Sequence, residues 1–179
     1  MEQIIQVKDL RFKPFISEAV ILTHVERMAN EINQTYRGQT VHLVILLKGA
    51  FIFGADLVRH LQIDHTIQFV KLSSYAGLAS SGSIREEFGL SMDIKDKHIL
   101  IIEDIVDTGT TLHYFFRKLL DAQPASLNIA SLLVKPEALK YDIPVRFRGL
   151  DIENKFVVGY GLDYNDAARN LRDIYQLAE

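Results

Sequence analysis

Apolar positions along the chain switch repeatedly between a helical and a strand period. Ile21, Leu22, Val25, Met28, Ala29 and Ile32 recur at i, i+3, i+4 and i+7, the stripe of an amphipathic helix, with Ser17 as its cap and Gly38 where the turning stops. The run Val41 to Leu47 has the length and continuity of a strand buried on both faces. Lys48-Gly49 breaks it, and Phe51, Ala55, Leu57, Val58 and Leu61 predict a second helix. Thr66–Leu72, His98–Ile102 and Leu127–Val134 predict further strands, and Val145–Phe147 and Phe156–Val158 shorter ones. Leu112 to Leu120 predicts a helix ended by Pro124, and the first residues predict a strand or extended segment. Apolar strands alternating with helices imply an α/β fold whose mostly parallel central sheet is flanked by helices. Residues 73–91 do not fit this rhythm. They are rich in Ser, Ala and Gly yet carry Tyr75 and Phe88, and spacing alone leaves a lid and a flexible hairpin equally open.

Composition narrows the chemistry by exclusion. A chain of 179 residues suits one domain. It has no cysteine, which removes a disulfide scaffold, a thiolate nucleophile and Cys-ligated zinc or iron–sulfur sites. Lys and Arg number 20 against 23 Asp and Glu, a net charge of −3, which argues against nucleic acid as a partner. The longest apolar run, Leu43 to Leu47, is far short of the roughly 18 residues a membrane span needs. The amino terminus lacks the basic-then-apolar order of a signal peptide, so a cytoplasmic protein without a membrane partner is expected.

The chemistry concentrates in residues 101–111. An apolar strand ends in Glu103-Asp104, two apolar residues follow, and then Asp107-Thr108-Gly109-Thr110-Thr111 opens a helix. Ligands of open α/β sheets bind beyond the carboxyl ends of the strands, and a small hydroxyl-rich turn at a helix start offers N–H and O–H groups to an anion. Three acids beside such a cradle suit a ligand that also carries hydroxyls, a metal ion or a proton to be removed. A capped helix after a strand with exposed acids remains the plain alternative.

This segment resembles the phosphoribosyl-pyrophosphate motif of the type I phosphoribosyltransferases. Leu47-Lys48-Gly49-Ala50 resembles the pyrophosphate loop of that family, and Ser73-Ser74-Tyr75 the start of its catalytic lid. Val134-Lys135-Pro136, and Phe156 to Tyr164 with Arg169, resemble the purine half of its hypoxanthine-guanine branch in bacteria. The resemblance spans roughly residues 40–172, in the family's order.

It implies a single domain over 1–179. The core would take about 15–135, a small hood the N-terminal segment and about 136–179, and a mobile lid 73–91. It implies purine salvage, with transfer of a phosphoribosyl group from phosphoribosyl pyrophosphate to a 6-oxopurine. Under that chemistry Glu103 and Asp104 would hold the ribose hydroxyls, partly through Mg²⁺, and Asp163 would help hold the pyrophosphate-bound metal. Asp107 would be the general base near purine N7, and Asp107 to Thr111 would wrap the 5-phosphate. Lys135 would donate to O6, and Phe156 and Ile105 would cover the two faces of the base. Val157 would read its edge, with Asp163 also on the purine side. Lys48, Gly49 and Arg169 would take pyrophosphate, and Ser74 and Tyr75 would close over the reacting centre. The family implies a Leu47–Lys48 peptide that can be cis, and a homodimer or homotetramer.

Singly, each residue has a plainer reading. Lys135 reads as a solvated charge, Phe156 as core, Asp163 and Arg169 as a surface ion pair, and Tyr75 as a loop aromatic. Asp107-Thr108-Gly109 also matches the triplet of aspartic proteases, but those are all-β, whereas here it lies between a buried strand and a helix. A nucleotide-sensing regulator on the same fold would need a basic face to read nucleic acid, and the chain has no run of Lys or Arg.

Overall fold

Alternating strands and helices build two sheets in the computed structural model, which describes residues 4–74 and 84–178. The strands are β1 (Ile5–Val7), β2 (Leu10–Ile16), β3 (Val41–Leu47), β4 (His65–Ser74), β5 (Ile84–Phe88), β6 (His98–Val106), β7 (Ser126–Val134), β8 (Val145–Asp151), β9 (Val157–Val158) and β10 (Ile174–Leu177). The helices are α1 (Glu18–Thr35), α2 (Phe51–His60) and α3 (Thr110–Asp121), with a 3-10 turn at Pro136–Ala138. The larger sheet has six strands in the order β5-β4-β3-β6-β7-β8, all parallel except β5.

Strand β3 is apolar from Leu43 to Leu47 because both faces of this sheet are covered. Val41, Leu43 and Ile45 join one buried cluster with Ile21, Val25, Met28 and Ile32 of α1 and Phe53 and Leu57 of α2. Val44 and Leu46 point the other way, into a cluster with Leu112, Phe115 and Leu119 of α3. Helix α1 starts as expected, with the Ser17 hydroxyl accepting from the Val20 N–H at 3.5 Å. Helix α2 buries a stripe different from the expected one: Phe53, Gly54 and Leu57 face the sheet, whereas Ala55 is exposed.

The second sheet is antiparallel, in the order β1-β2-β10-β9, and brings segments from the two ends of the chain together into a small hood. Its own small core is Val7, Phe12 and Val158, while Val157, Tyr160, Leu162 and Ile174 join the main core beneath. One boundary differs from expectation. Residues 145–151 were placed in the hood, but β8 pairs in parallel with β7, so they extend the main sheet. The segment 73–91 has hairpin arms, since β5 runs antiparallel to β4. The middle of the expected lid, including Tyr75, lies outside the described residues. Among the described residues, no helix is long and apolar enough to cross a membrane.

Candidate active site

Parallel strands end on one side, so β3, β6 and β7 deliver Lys48, the acidic segment and Lys135 to the same edge of the sheet. The hood covers that edge. Between them is a cavity of about 320 Å³ lined by Lys48, Gly49, Asp104, Ile105, Asp107, Lys135, Phe156, Val157, Leu162, Asp163 and Arg169. All but Leu162 were expected site residues. Glu103, Thr108, Gly109, Thr110 and Thr111 line an adjoining hollow of about 160 Å³ at the start of α3.

That hollow is built as an anion cradle. Gly109 caps α3 in the left-handed conformation and has no side chain to take up the first helical amides. The Thr108 and Thr110 hydroxyls lie 3.2 Å apart beside it. The turn is braced from behind, where the Lys140 N–H donates to the Thr108 carbonyl at 3.0 Å.

Lys135 is 5% exposed, so it is not a solvated charge. Its ammonium sits 2.7 Å from Asp107 Oδ2, the partner that makes burying a cation tolerable. Phe156 is 44% exposed and so is not core. Its ring stands in the cavity wall, backed by Phe12 at 6.0 Å and met edge-on by Tyr164 at 5.9 Å between centroids. Ile105 lies on the same cavity.

Glu103 and Asp104 are adjacent on β6, and burial followed by the Asp104 charge pushes the Glu103 carboxyl well above the usual carboxylate range. Asp104 is nearly covered by Gly49, where an added Cβ would stand 1.8 Å from Asp104 Oδ2. The missing side chain of Gly49 therefore leaves the space the carboxylate occupies. The preceding Leu47–Lys48 peptide is cis.

A carboxylate donor set suits a hard cation such as Mg²⁺, which one or two carboxylates can hold while it keeps several waters. Glu103 and Asp104 fit that requirement. Among the described residues no three His, Cys, Asp or Glu side chains form a metal cage. Asp163 is engaged elsewhere, its Oδ1 2.6 Å from Arg169 and its Oδ2 accepting from the Asp166 N–H at 2.7 Å.

Asp166 was not among the expected residues. Its Oδ1 lies 2.8 Å from Lys48 Nζ and 3.3 Å from Arg169, and those hydrogen bonds, Lys48 first, hold its carboxyl below the usual range. Arg169 also donates to the Gly161 carbonyl at 2.8 Å. Gly161 in turn rests on the lower wall, since a Cβ there would come 2.1 Å from the Gly49 carbonyl oxygen. Tyr160, also missed, is buried and donates to Asp56 of α2 at 2.6 Å, tying the hood turn to the core. A sequence signal existed for Asp166, because Asn165-Asp166 is a dipeptide of the kind that tight left-handed turns select. The Ser74 backbone ends β4, and Tyr75 lies outside the described residues.

Residues 18–165 match the family model for the phosphoribosyl transferase domain. The chain is 38% identical over 176 residues to the hypoxanthine-guanine phosphoribosyltransferase of Aquifex aeolicus, covering 97% of this chain and 99% of that one. It is 41% identical over 168 residues to that of Dictyostelium discoideum, covering 91% and 92%. A crystal structure of a hypoxanthine-guanine phosphoribosyltransferase from Bacillus anthracis superposes with a TM-score of 0.86 at 33% identity, covering 93% of this chain and 96% of that one.

Proposed function

The chain belongs to the phosphoribosyl transferase family, and from that premise we propose which groups of its cavity carry the reaction. The activity is purine salvage: a phosphoribosyl group passes from phosphoribosyl pyrophosphate to hypoxanthine or guanine, giving IMP or GMP and pyrophosphate.

The observation that carries the proposed roles is the Lys135–Asp107 pair at 2.7 Å on the cavity wall. It sets a donor and an acceptor side by side, the complement of the O6 and N7–H edge of a 6-oxopurine. An ammonium has three donors, so Lys135 can keep Asp107 and still donate to O6. Asp107 then accepts the N7 proton as general base, leaving N9 the better nucleophile when the bond from ribose C1 to pyrophosphate breaks. Adenine would set its own amino donor against Lys135. Phe156 and Ile105 would sandwich the ring, and the Val157 backbone with Asp163 would meet its far edge. Residues Asp107 to Thr111 would hold the 5-phosphate at the start of α3, while Glu103 and Asp104 bind the ribose hydroxyls. Lys48, Gly49 and Arg169 would take pyrophosphate. A lid from 73–91, with Ser74 and Tyr75, would exclude water from an oxocarbenium-like centre.

Mg²⁺ would be held by Glu103 and Asp104, with Asp163 helping to hold the pyrophosphate-bound metal, and would neutralise charge on the departing pyrophosphate. The chain would work as one domain, core and hood together, in the cytoplasm where its phosphorylated substrates are confined. Self-association into a dimer or tetramer is supported by exposed apolar groups beside α2. Ile67 and Phe69 of β4 pair with Leu43 and Ile45, whose side chains face α2, and Phe51 on that helix is also exposed.

The deciding assay is Mg²⁺-dependent formation of IMP or GMP from the free base and phosphoribosyl pyrophosphate, run against adenine, xanthine and uracil. Hypoxanthine or guanine is the expected acceptor. Turnover of adenine or uracil in their place would overturn the Lys135 role.

A further inference from the structure

Among the cations of the cavity, Lys48 and Arg169 share one anion of the protein itself. Asp166 stands at the tip of a tight turn in which Tyr164 and Ala167 exchange N–H to carbonyl bonds of 3.1 and 3.0 Å. Its two central residues, Asn165 and Asp166, have φ of +51° and +61°, the arrangement of a type I′ turn, and Asn and Asp are the side-chain-bearing residues that adopt it most readily. The turn is clamped from the far side. The Tyr164 hydroxyl donates to Asp9 at 3.0 Å, and the Lys8 ammonium donates to the Asn165 carbonyl. A rigid turn therefore presents a carboxylate, its side chain 70% exposed, to both cations.

We propose that Asp166 is a built-in counter-anion: it occupies Lys48 and Arg169 while the cavity is free, and pyrophosphate must displace it to bind. The inference rests on the proposed pyrophosphate role of those two residues. Three features support displacement over permanent bonding. The Asp166 carboxylate is on the rim, so water can replace its partners at little cost. Arg169 stays anchored without it, through Asp163 at 2.6 Å and the Gly161 carbonyl at 2.8 Å. A diphosphate carries more negative charge than one carboxylate and offers more acceptor oxygens, so the exchange runs toward the ligand. The carboxylate keeps two like charges paired in the free protein and, by competing for them, loosens the bound anion.

The test measures inhibition by pyrophosphate against phosphoribosyl pyrophosphate, with Asp166→Asn and Asp166→Gly beside the parent protein. Both replacements suit the left-handed backbone, and both remove the charge. Each should bind pyrophosphate about 3- to 10-fold more tightly, the span expected for losing exposed competing ion pairs. The KM for phosphoribosyl pyrophosphate should fall in parallel, the KM for hypoxanthine should stay put, and added salt should shrink the difference. Unchanged or weaker pyrophosphate binding in either variant overturns the counter-anion role. Arg169→Gln separates the two layers. If it weakens pyrophosphate while the Asp166 variants do nothing, the counter-anion proposal alone falls. If it too does nothing, the pyrophosphate assignment falls and takes the proposal with it.

Discussion

The two walls of the cavity are made differently. The lower wall comes from the ends of buried parallel strands: Glu103 to Asp107 leave β6, and Lys135 leaves β7. Between residues 98 and 111 its backbone is ordinary except for Gly109. The upper wall is a loop in which Gly159, Tyr160, Gly161, Asn165, Asp166 and Ala168 all have positive φ. The lower wall is held by apolar burial on both faces of a sheet. The upper wall buries Val157, Tyr160 and Leu162 in the main core and adds polar ties, Tyr160 to Asp56, Tyr164 to Asp9 and Arg169 to Asp163. The proposed general base stands on the firm wall, and Arg169 and Asp166 on the tied one, where they meet Lys48 from across the cavity.

The largest break in that division is Asp107→Asn. Asparagine keeps an oxygen to accept from Lys135, so the wall stays assembled while the base is lost. Turnover should fall about 10²- to 10⁴-fold, with much less change in the KM for phosphoribosyl pyrophosphate. Steady-state kinetics with hypoxanthine decides it. Unchanged turnover would move the general base to another group.

Gly49→Ala follows, because it acts where the walls meet. The new methyl would fall on the Asp104 carboxylate, which is buried and has little room to retreat. Displacing a group beside the reacting ribose by an ångström costs on the order of 10²-fold in kcat/KM. A variant within a few-fold of the parent would show that the lower wall yields more than its burial implies.

Tyr160→Phe loosens the upper wall alone. Burial, then Asp56, pushes the Tyr160 hydroxyl far above its ordinary value, so it remains a donor at neutral pH. Losing a hydrogen bond to a charged acceptor costs about 1–3 kcal/mol, and the value should lie near the lower end because water can reach Asp56. Urea unfolding reads the loss. The KM for phosphoribosyl pyrophosphate should rise several-fold while kcat changes less. The reverse pattern would place Tyr160's influence on the lower wall.

The same contrast explains what the sequence discloses. The lower wall is legible because a strand end and a helix start are contiguous, so Glu103 to Thr111 read as one motif. The β3 strand, Val41–Leu47, is legible to the residue because burial on both faces leaves it apolar at every position but His42. The upper wall depends on ties between distant positions, such as Asp56 with Tyr160 and Lys48 with Asp166, which no local pattern contains. Strand β10 went unread because it has only four residues and one of its two partners, β2, lies more than a hundred residues away. Strand β8 falls inside the range expected for the hood for a similar reason, since sequence order does not say that the chain returns to β7 before entering it.

The smallest expected effect lies at the opposite end of the lower wall's strands. His42 is the second residue of β3, bonded to the Thr66 hydroxyl oxygen at 2.7 Å. Burial, and then the Lys97 and His98 charges, lower its pKa from 6.5. A depressed folded-state pKa means that the unfolded chain takes up the proton first. Its contribution is therefore complete above the unfolded value and is lost as pH falls from there through the lower folded value. Urea midpoints should drop as the solution is acidified across that window, and His42→Gln should flatten this part of the profile while leaving kcat at neutral pH unaltered. A variant with the parent's acid profile would remove His42 from the account. A variant with impaired turnover would show that the far end of β3 reaches the site, against the separation of stability from chemistry along these strands.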